Sequence, residues 1–351
     1  MDSVDLNKAV SLTQDLRGDL RELTAGFPDD KIFLLFENNT WKHCHSGWIG
    51  FRDIPDDHVL ILPAGEEHKR IEQVMQAWEF LGSRGIDRQS LIINVGGGML
   101  TDLGGFAAST LKRGIPFINL PTTLMAMVDA SVGGKTGFNF RGLKNEVGVF
   151  RQPLHVLIYL PFLRTLDRDN LLSGYAEMLK AGLVADADLW DQLREFDLSG
   201  YQEEKLGRLI WRSVKIKQEI VGNDPEEKNT RKALNFGHTV GHALESESLR
   251  QNRPVPHGFA VAWGMLAEAR LSQQILNLPE ASVQEIQRAI QNLFGTPPPG
   301  IIHPDALLNW MRFDKKNSGN QINFTLLEKI GQCRVNCTVS EEEIRKVTRD
   351  S

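Results

Sequence analysis

Disulfide chemistry, a basic surface and a membrane span are all missing from this chain. Its 351 residues include three cysteines, Cys44, Cys333 and Cys337, which form neither a disulfide framework nor a Cys-x-x-Cys pair and suit a reducing compartment, the cytoplasm. Positive charge is not in excess. The 40 Lys and Arg stand against 45 Asp and Glu, a formal net charge of −5, so no broad electrostatic footprint for nucleic acid or anionic lipid exists. No stretch approaches the ~18 uninterrupted apolar residues of a membrane span. Residues 1–20 mix Asp, Lys and Arg without an apolar leader, and a soluble protein is expected. Internal repeats and low-complexity tracts are absent as well. What is there is ordinary globular composition, 41% hydrophobic and 24% charged. Single cores stop growing beyond roughly 250–300 residues, so this length favours two domains.

Short apolar runs at 31–36, 59–63 and 91–95 predict strands, and Ile71, Val74, Trp78 and Leu81 recur at helical spacing between the last two. A helix-like stretch at 101–111 lies before further strand candidates at 116–120 and 155–160. Strands alternating with helices imply a parallel sheet covered on both faces, an α/β, Rossmann-like doubly wound domain over residues 1–166. From Arg168 the texture changes. Helical patterns at 168–184, 186–196, 201–221, 231–249 and 257–276 predict a mainly α-helical domain over 167–351, with strand-like alternation returning only at 321–326. Residues 295–304, with three consecutive prolines, predict a loop.

The strand at 91–95 runs into Gly96, Gly97 and Gly98, and a helical pattern carrying Asp102 follows. Such a junction lets a backbone approach a pyrophosphate and offers it helix N–H groups. The spacing departs from the dinucleotide fingerprint at Thr101, so a tight strand-to-helix turn is an equal alternative. A second cluster, Asp129-Ala-Ser-Val-Gly-Gly-Lys135 with Lys144 and Asn145 beyond it, places polar groups in glycine-rich loops past strand ends, where open sheets bind ligands.

His238 and His242 are four apart and share a helix face, and His257 follows downstream. Glu177 and Lys180, three apart, share a face of an earlier helix. Imidazoles plus one carboxylate suit zinc with an open position, and on spacing alone His242 is as good a ligand as His238. His43, His45, His58, His155 and His303 read as satisfied core or surface residues. Lys217, Arg231 and the Asp314-Lys315-Lys316-Asn317 segment would suit an anionic substrate if they converge, and solvated helix faces if they do not.

Taken in order, Gly96-Gly-Gly-Met-Leu-Thr-Asp102, Lys112-Arg113-Gly114, Pro121-Thr-Thr, Asp129-Ala-Ser-Val-Gly-Gly-Lys135, Lys144-Asn145, Glu177-Met-Leu-Lys180, Leu234-Asn-Phe-Gly-His238-Thr-Val-Gly-His242, His257-Gly258 and Asp314-Lys-Lys316 resemble the blocks of the 3-dehydroquinate synthase family, across residues 31–331. The resemblance implies an NAD- and zinc-dependent homodimer, cobalt being an alternative metal. It implies closure of 3-deoxy-D-arabino-heptulosonate 7-phosphate, an anionic sugar acid phosphate, into 3-dehydroquinate of the shikimate pathway. The route it implies is transient oxidation, phosphate loss, re-reduction and intramolecular aldol closure.

It further implies Glu177, His238 and His257 as metal ligands, with His242 beside them as a catalytic or proton-relay residue. NAD would be held by Gly97, Gly98, Asp102, Thr122, Thr123, Asp129, Lys144, Phe162, Thr165 and Leu166, with Glu66 and Lys69 at the adenosine end. Glu37 and Asn39 stand where the family often has an Asp-x-Asn pair at the cofactor. Lys217 and Arg231 would hold the substrate carboxylate. Lys135, Asn145, Asn235 and Lys315 or Lys316 would hold its phosphate, with Arg113 reaching in from the other subunit. Asp129 and Lys180 would orient the reacting hydroxyls. Thr101 before Asp102, Ala181 after Lys180 and a bulky 138–141 segment depart from the family pattern. Another sugar phosphate cyclase, a polyol dehydrogenase or a catalytically silent NAD-binding protein are the rival readings.

Overall fold

Residues Ile32–Glu37 and Leu91–Gly96 bury all six of their side-chain positions each, as strands covered on both faces must. They belong to a computed structural model that describes residues 9–141, 143–198, 200, 202–312 and 322–349. The described chain divides into two units, one reaching Asp167 and including Glu203–Gly207, the other formed by Arg168–Gln202 and the chain from Arg208 onward.

The first unit runs β1 (Val10–Thr13), α1 (Leu16–Leu23), β2 (Ile32–Glu37), α2 (Asn38–Cys44), β3 (Val59–Leu62), α3 (Ile71–Ser83), β4 (Leu91–Gly96), α4 (Gly98–Thr110), β5 (Phe117–Pro121), β6 (Lys135–Phe140), β7 (Leu143–Phe150) and β8 (His155–Tyr159). Six strands form one sheet in the order β1-β8-β5-β4-β2-β3, every neighbouring pair parallel. Phe33, Leu62, Val74, Ile92, Leu103 and Phe117 join strands to α3 and α4 in one apolar core. All five anticipated strands are present, whereas β1, only four residues long, gave no readable pattern. Residues 135–150 correct the loop expectation. They form an antiparallel hairpin, β6 with β7, whose register shifts between Phe138 and Phe140 and so hides the alternation.

The second unit comprises α5 (Arg168–Ala185), α6 (Ala187–Arg194), most of α7 (Glu203–Asn223), α8 (His238–Arg250), α9 (His257–Leu276), α10 (Glu280–Phe294), α11 (Pro304–Arg312), β9 (Asn323–Lys329), β10 (Gln332–Thr338) and α12 (Glu341–Arg349). Helices α5 and α9 are buried along most of their length, which explains why neither has a strongly polar face. The helix expected over 231–249 is instead a 3₁₀ turn at Thr230–Asn235 and then α8, separated by extended Phe236 and by Gly237 at φ +80°. The strand-like stretch becomes one half of an antiparallel hairpin, β9 with β10. No helix among the described residues is long and apolar enough to cross a membrane.

Candidate active site

In the first unit Glu37, Glu66, Lys69, Gly97, Asp102 and Asp129, among the groups assigned to a cofactor, lie at or follow the carboxyl ends of parallel strands, the usual ligand crevice of such sheets. The glycine segment is hardly a loop. Gly96 ends β4 and Gly98 begins α4, with only Gly97 between them, a residue with no side chain to cap the helix. The Glu37 carboxyl meets the Gly97 and Leu100 N–H groups at this helix start, and first-turn N–H groups of a helix suit an anion. Glu37 ends β2 with its carboxyl buried, and its Oε1 has no hydrogen-bond partner among the described residues. Burial raises its pKa to about 7, against the pull of the Gly97 and Leu100 N–H groups.

The Lys69 ammonium lies 2.6 Å from Asp102 Oδ2 and also donates to Asn145 Oδ1. Burial works to discharge Lys69, but Asp102 and Glu66 outweigh it and hold its pKa above the ordinary value. Asn139, which no sequence signal singled out, ties this group together. Its Nδ2 donates to Glu66 Oε1 at 2.8 Å, and its Oδ1 accepts the Asn145 N–H at 2.8 Å. Asp129 is close enough to Asp102 to raise the latter's pKa, after the larger effect of burial. Asn145, assigned by resemblance to phosphate, thus stands on Lys69 in this group. Thr122 is buried and Thr123 Oγ1 accepts the Ala126 N–H, at the start of a π turn over Ala126–Ala130. Phe162 is buried, whereas Asn39, Arg113, Lys135 and Thr165 are exposed and Lys144 and Leu166 half-buried.

In the second unit, α5, α8 and α9 bring Glu177, His238, His242 and His257 together. One nitrogen from each histidine lies within 4.8 Å of the others. Glu177 Oε1 is 3.6 Å from His238 Nε2 and 3.8 Å from His257 Nε2. That oxygen is buried and has no hydrogen-bond partner among the described residues, while the Lys180 ammonium touches the other carboxylate oxygen. A buried carboxylate oxygen without a donor calls for a cation. The donor set, imidazole nitrogen and carboxylate oxygen, fits a divalent ion of the zinc type.

Glycine makes this convergence possible at two crossings. A β-carbon at position 264 would lie 2.0 Å from Gly237 O, so α9 approaches the start of α8 only because residue 264 has none. A β-carbon at 258 would lie 2.3 Å from Ser173 O, which likewise sets α9 against α5. The first turn of α8 is held from across that crossing. Glu268 of α9, fully buried, accepts the N–H groups of Gly237 at 2.6 Å, Thr239 at 3.1 Å and Val240 at 3.2 Å. Sequence reading missed Glu268 because nothing local marks a capping carboxylate supplied by another helix.

Lys217 and Arg231 are both buried. The loop carrying Arg231 is organised by Asp224, whose carboxylate accepts the N–H groups of Lys228, Asn229 and Arg231 at 2.9, 2.6 and 3.0 Å. Those donors outweigh burial and hold Asp224 below the usual carboxylate range. Arg231 Nη1 donates to Pro225 O at 2.6 Å, and Asn235 Nδ2 to Glu227 Oε1 at 2.8 Å. Lys315 and Lys316 lie outside the described residues.

Two family profiles match the chain, 3-dehydroquinate synthase N-terminal over residues 59–173 and 3-dehydroquinate synthase C-terminal over residues 174–317. A 3-dehydroquinate synthase of Parabacteroides distasonis is 45% identical over 338 residues, 95% of each chain. Among solved structures, the 2-epi-5-epi-valiolone synthase ValA of Streptomyces hygroscopicus subsp. jinggangensis, with NAD+ and Zn2+ bound, superposes with a TM-score of 0.87 at 27% identity, covering 97% of this chain and 95% of that one. A 2-deoxy-scyllo-inosose synthase, complexed with carbaglucose-6-phosphate, NAD+ and Co2+, shares the fold with a TM-score of 0.83 at 23% identity, covering 97% and 96%.

Proposed function

The chain belongs to the 3-dehydroquinate synthase family along almost its whole length, and from that premise we propose which of its residues carry the reaction. The reaction is conversion of 3-deoxy-D-arabino-heptulosonate 7-phosphate into 3-dehydroquinate and inorganic phosphate, a carbon–oxygen lyase step with ring closure. The observation that carries the residue assignment is the orphaned Glu177 oxygen facing His238 and His257.

Glu177, His238 and His257 would hold the metal, zinc or cobalt, and the glycine junction with Glu37, Lys69 and Asp102 would hold NAD. When bound, NAD takes up and returns a hydride while the metal polarises the alcohol oxygen being oxidised. The chain's own residues do the rest. Lys180, fixed against Glu177, would hold a proton at a substrate hydroxyl, and His242, on the same helix face as His238, would pass one on. Buried Lys217 and Arg231 supply the charge that a desolvated carboxylate needs, Arg231 with its loop already set by Asp224. Lys135, Asn145, Asn235 and Lys315 or Lys316 would bind the leaving phosphate, with Asp129 orienting a hydroxyl. Exposed Arg113 would complete the phosphate site of a second copy in a homodimer. Three free cysteines fit a cytoplasmic setting.

Solved neighbours that share the fold include a 2-epi-5-epi-valiolone synthase and a 2-deoxy-scyllo-inosose synthase complexed with carbaglucose-6-phosphate, which keeps another cyclase, acting on a substrate without a carboxylate, as the second reading. Phosphate release assayed with added NAD and zinc separates these readings. Release from the heptulosonate phosphate without net NADH is expected. Net NADH would mean a dehydrogenase, and release only from carboxylate-free sugar phosphates would mean a different cyclase.

A further inference from the structure

His257 stands between two carboxylates. Its Nε2 faces Glu177 Oε1 at 3.8 Å, and its Nδ1 lies 3.2 Å from Oε2 of Glu245. Glu245 is itself buried and sits on α8 seven residues after His238 and three after His242, so it shares their helix face. A neutral imidazole carries one N–H, and the acceptor that takes it decides which nitrogen keeps a lone pair. A carboxylate at Nδ1 accepts a hydrogen bond from Nδ1–H and so leaves the lone pair on Nε2, the nitrogen that faces Glu177. His238 has a weaker version of the same arrangement, because its Nδ1 is 3.2 Å from a neutral acceptor, the Phe236 carbonyl oxygen.

We infer that Glu245 is the positioning residue of the metal centre, fixing the His257 tautomer and ring plane so that Nε2 presents its lone pair to the ion. The inference rests on the metal reading above and adds a residue to it. Glu245 is not among the proposed ligands of the ion, the cofactor or the substrate. It acts through His257, and its negative charge makes that imidazole the stronger donor of the two. It also links the ligand helices directly, since Glu245 is on α8 and His257 opens α9.

The test uses the full chain labelled with [15N]histidine and stripped of metal, at a pH where imidazole is neutral. The His257 resonances are identified by their loss in His257→Gln. Long-range proton–nitrogen spectra of the wild type are expected to show Nδ1 protonated and Nε2 bare. Glu245→Ala should lose that preference, and its zinc affinity, read by competition with a chromophoric chelator, should fall about 10–100-fold. Glu245→Gln keeps an acceptor oxygen, so it should restore the Nδ1–H tautomer and recover part of the affinity. A Glu245→Ala protein that retains both the tautomer and wild-type zinc affinity overturns the inference. If that variant does not fold, Glu245→Gln decides. Weaker zinc binding at an unchanged melting temperature supports the inference, and unchanged binding overturns it. A wild-type chain that binds no zinc would remove the metal reading instead, while the tautomer in metal-free protein still tests Glu245.

Discussion

At the scale of single residues, the site is defined by charged groups held away from water, Glu37, Glu177, Lys180, Lys217 and Arg231. Glu177→Gln keeps the shape but removes the charge, and His238→Ala removes a nitrogen. Both are expected to abolish stoichiometric zinc retention through gel filtration, measured by atomic absorption. Full zinc content in both would end the ligand assignment. Arg231→Ala leaves a substrate anion without its buried partner, so KM should rise and turnover fall, costing roughly 2–4 kcal/mol in kcat/KM. Normal kinetics would show that this guanidinium has another task. Glu37 supplies a pH signature of its own. Its folded pKa of about 7 lies above the ordinary carboxyl value of 4.5, so the native state holds an extra proton between those values. The sign follows directly. Its contribution is fully present below the unfolded value and is lost as pH rises through about 7. Glu37→Gln mimics the neutral form, and its melting temperature should gain on the wild type as pH goes from acid to alkaline. A constant difference across that range would place the Glu37 pKa elsewhere.

At the scale of elements, the helix crossings decide whether the ligands meet. Gly264→Ala would force a methyl against the Gly237 carbonyl, and overpacking of this kind costs typically about 1–3 kcal/mol. Glu268→Ala removes the acceptor of three buried N–H groups at the start of α8, and each unsatisfied donor costs about 1–3 kcal/mol. Urea unfolding followed by tryptophan fluorescence should show Glu268→Ala as the more damaging of the two, and zinc affinity should fall with it. An unaltered midpoint would mean that water replaces the carboxylate. These elements also mark what sequence can and cannot reveal. Five of the six parallel strands were legible as short apolar runs, most plainly β2 and β4, which are buried on both faces, whereas the four residues of β1 were too few. His238, His242 and Glu177 were legible because helical spacing puts ligands on a face, and His257 because it follows them in a matching block. Glu268 and Asn139 were not, since their partners Gly237 and Glu66 lie 31 and 73 residues away, and Glu245, although on the histidines' helix face, gives no sign in the sequence that it meets His257 of the next helix. The β6–β7 hairpin read as loop because its glycines and lysines obscure a period of two.

At the scale of the whole molecule, the ligands of the two proposed cofactors are drawn from different units, and that makes their effects separable. All three proposed metal ligands sit on α5, α8 and α9, whereas the glycine junction, Glu37, Lys69 and Asp102 belong to the sheet-bearing unit. A ligand that binds only the folded state stabilises it by mass action, about 2.7 kcal/mol at a hundredfold excess over Kd. Local opening is suppressed where the contacts are made, so protection maps the binding groups. Hydrogen exchange read by mass spectrometry on the full chain is therefore expected to slow in peptides covering residues 168–185 and 238–276 when zinc is added. With NAD alone it should slow at residues 91–102 and 121–130. Zinc protection centred on α4, or NAD protection centred on α8, would reverse the assignment of the two halves. The experiment needs no turnover, so it judges the division of binding labour independently of whether the heptulosonate phosphate is the true substrate.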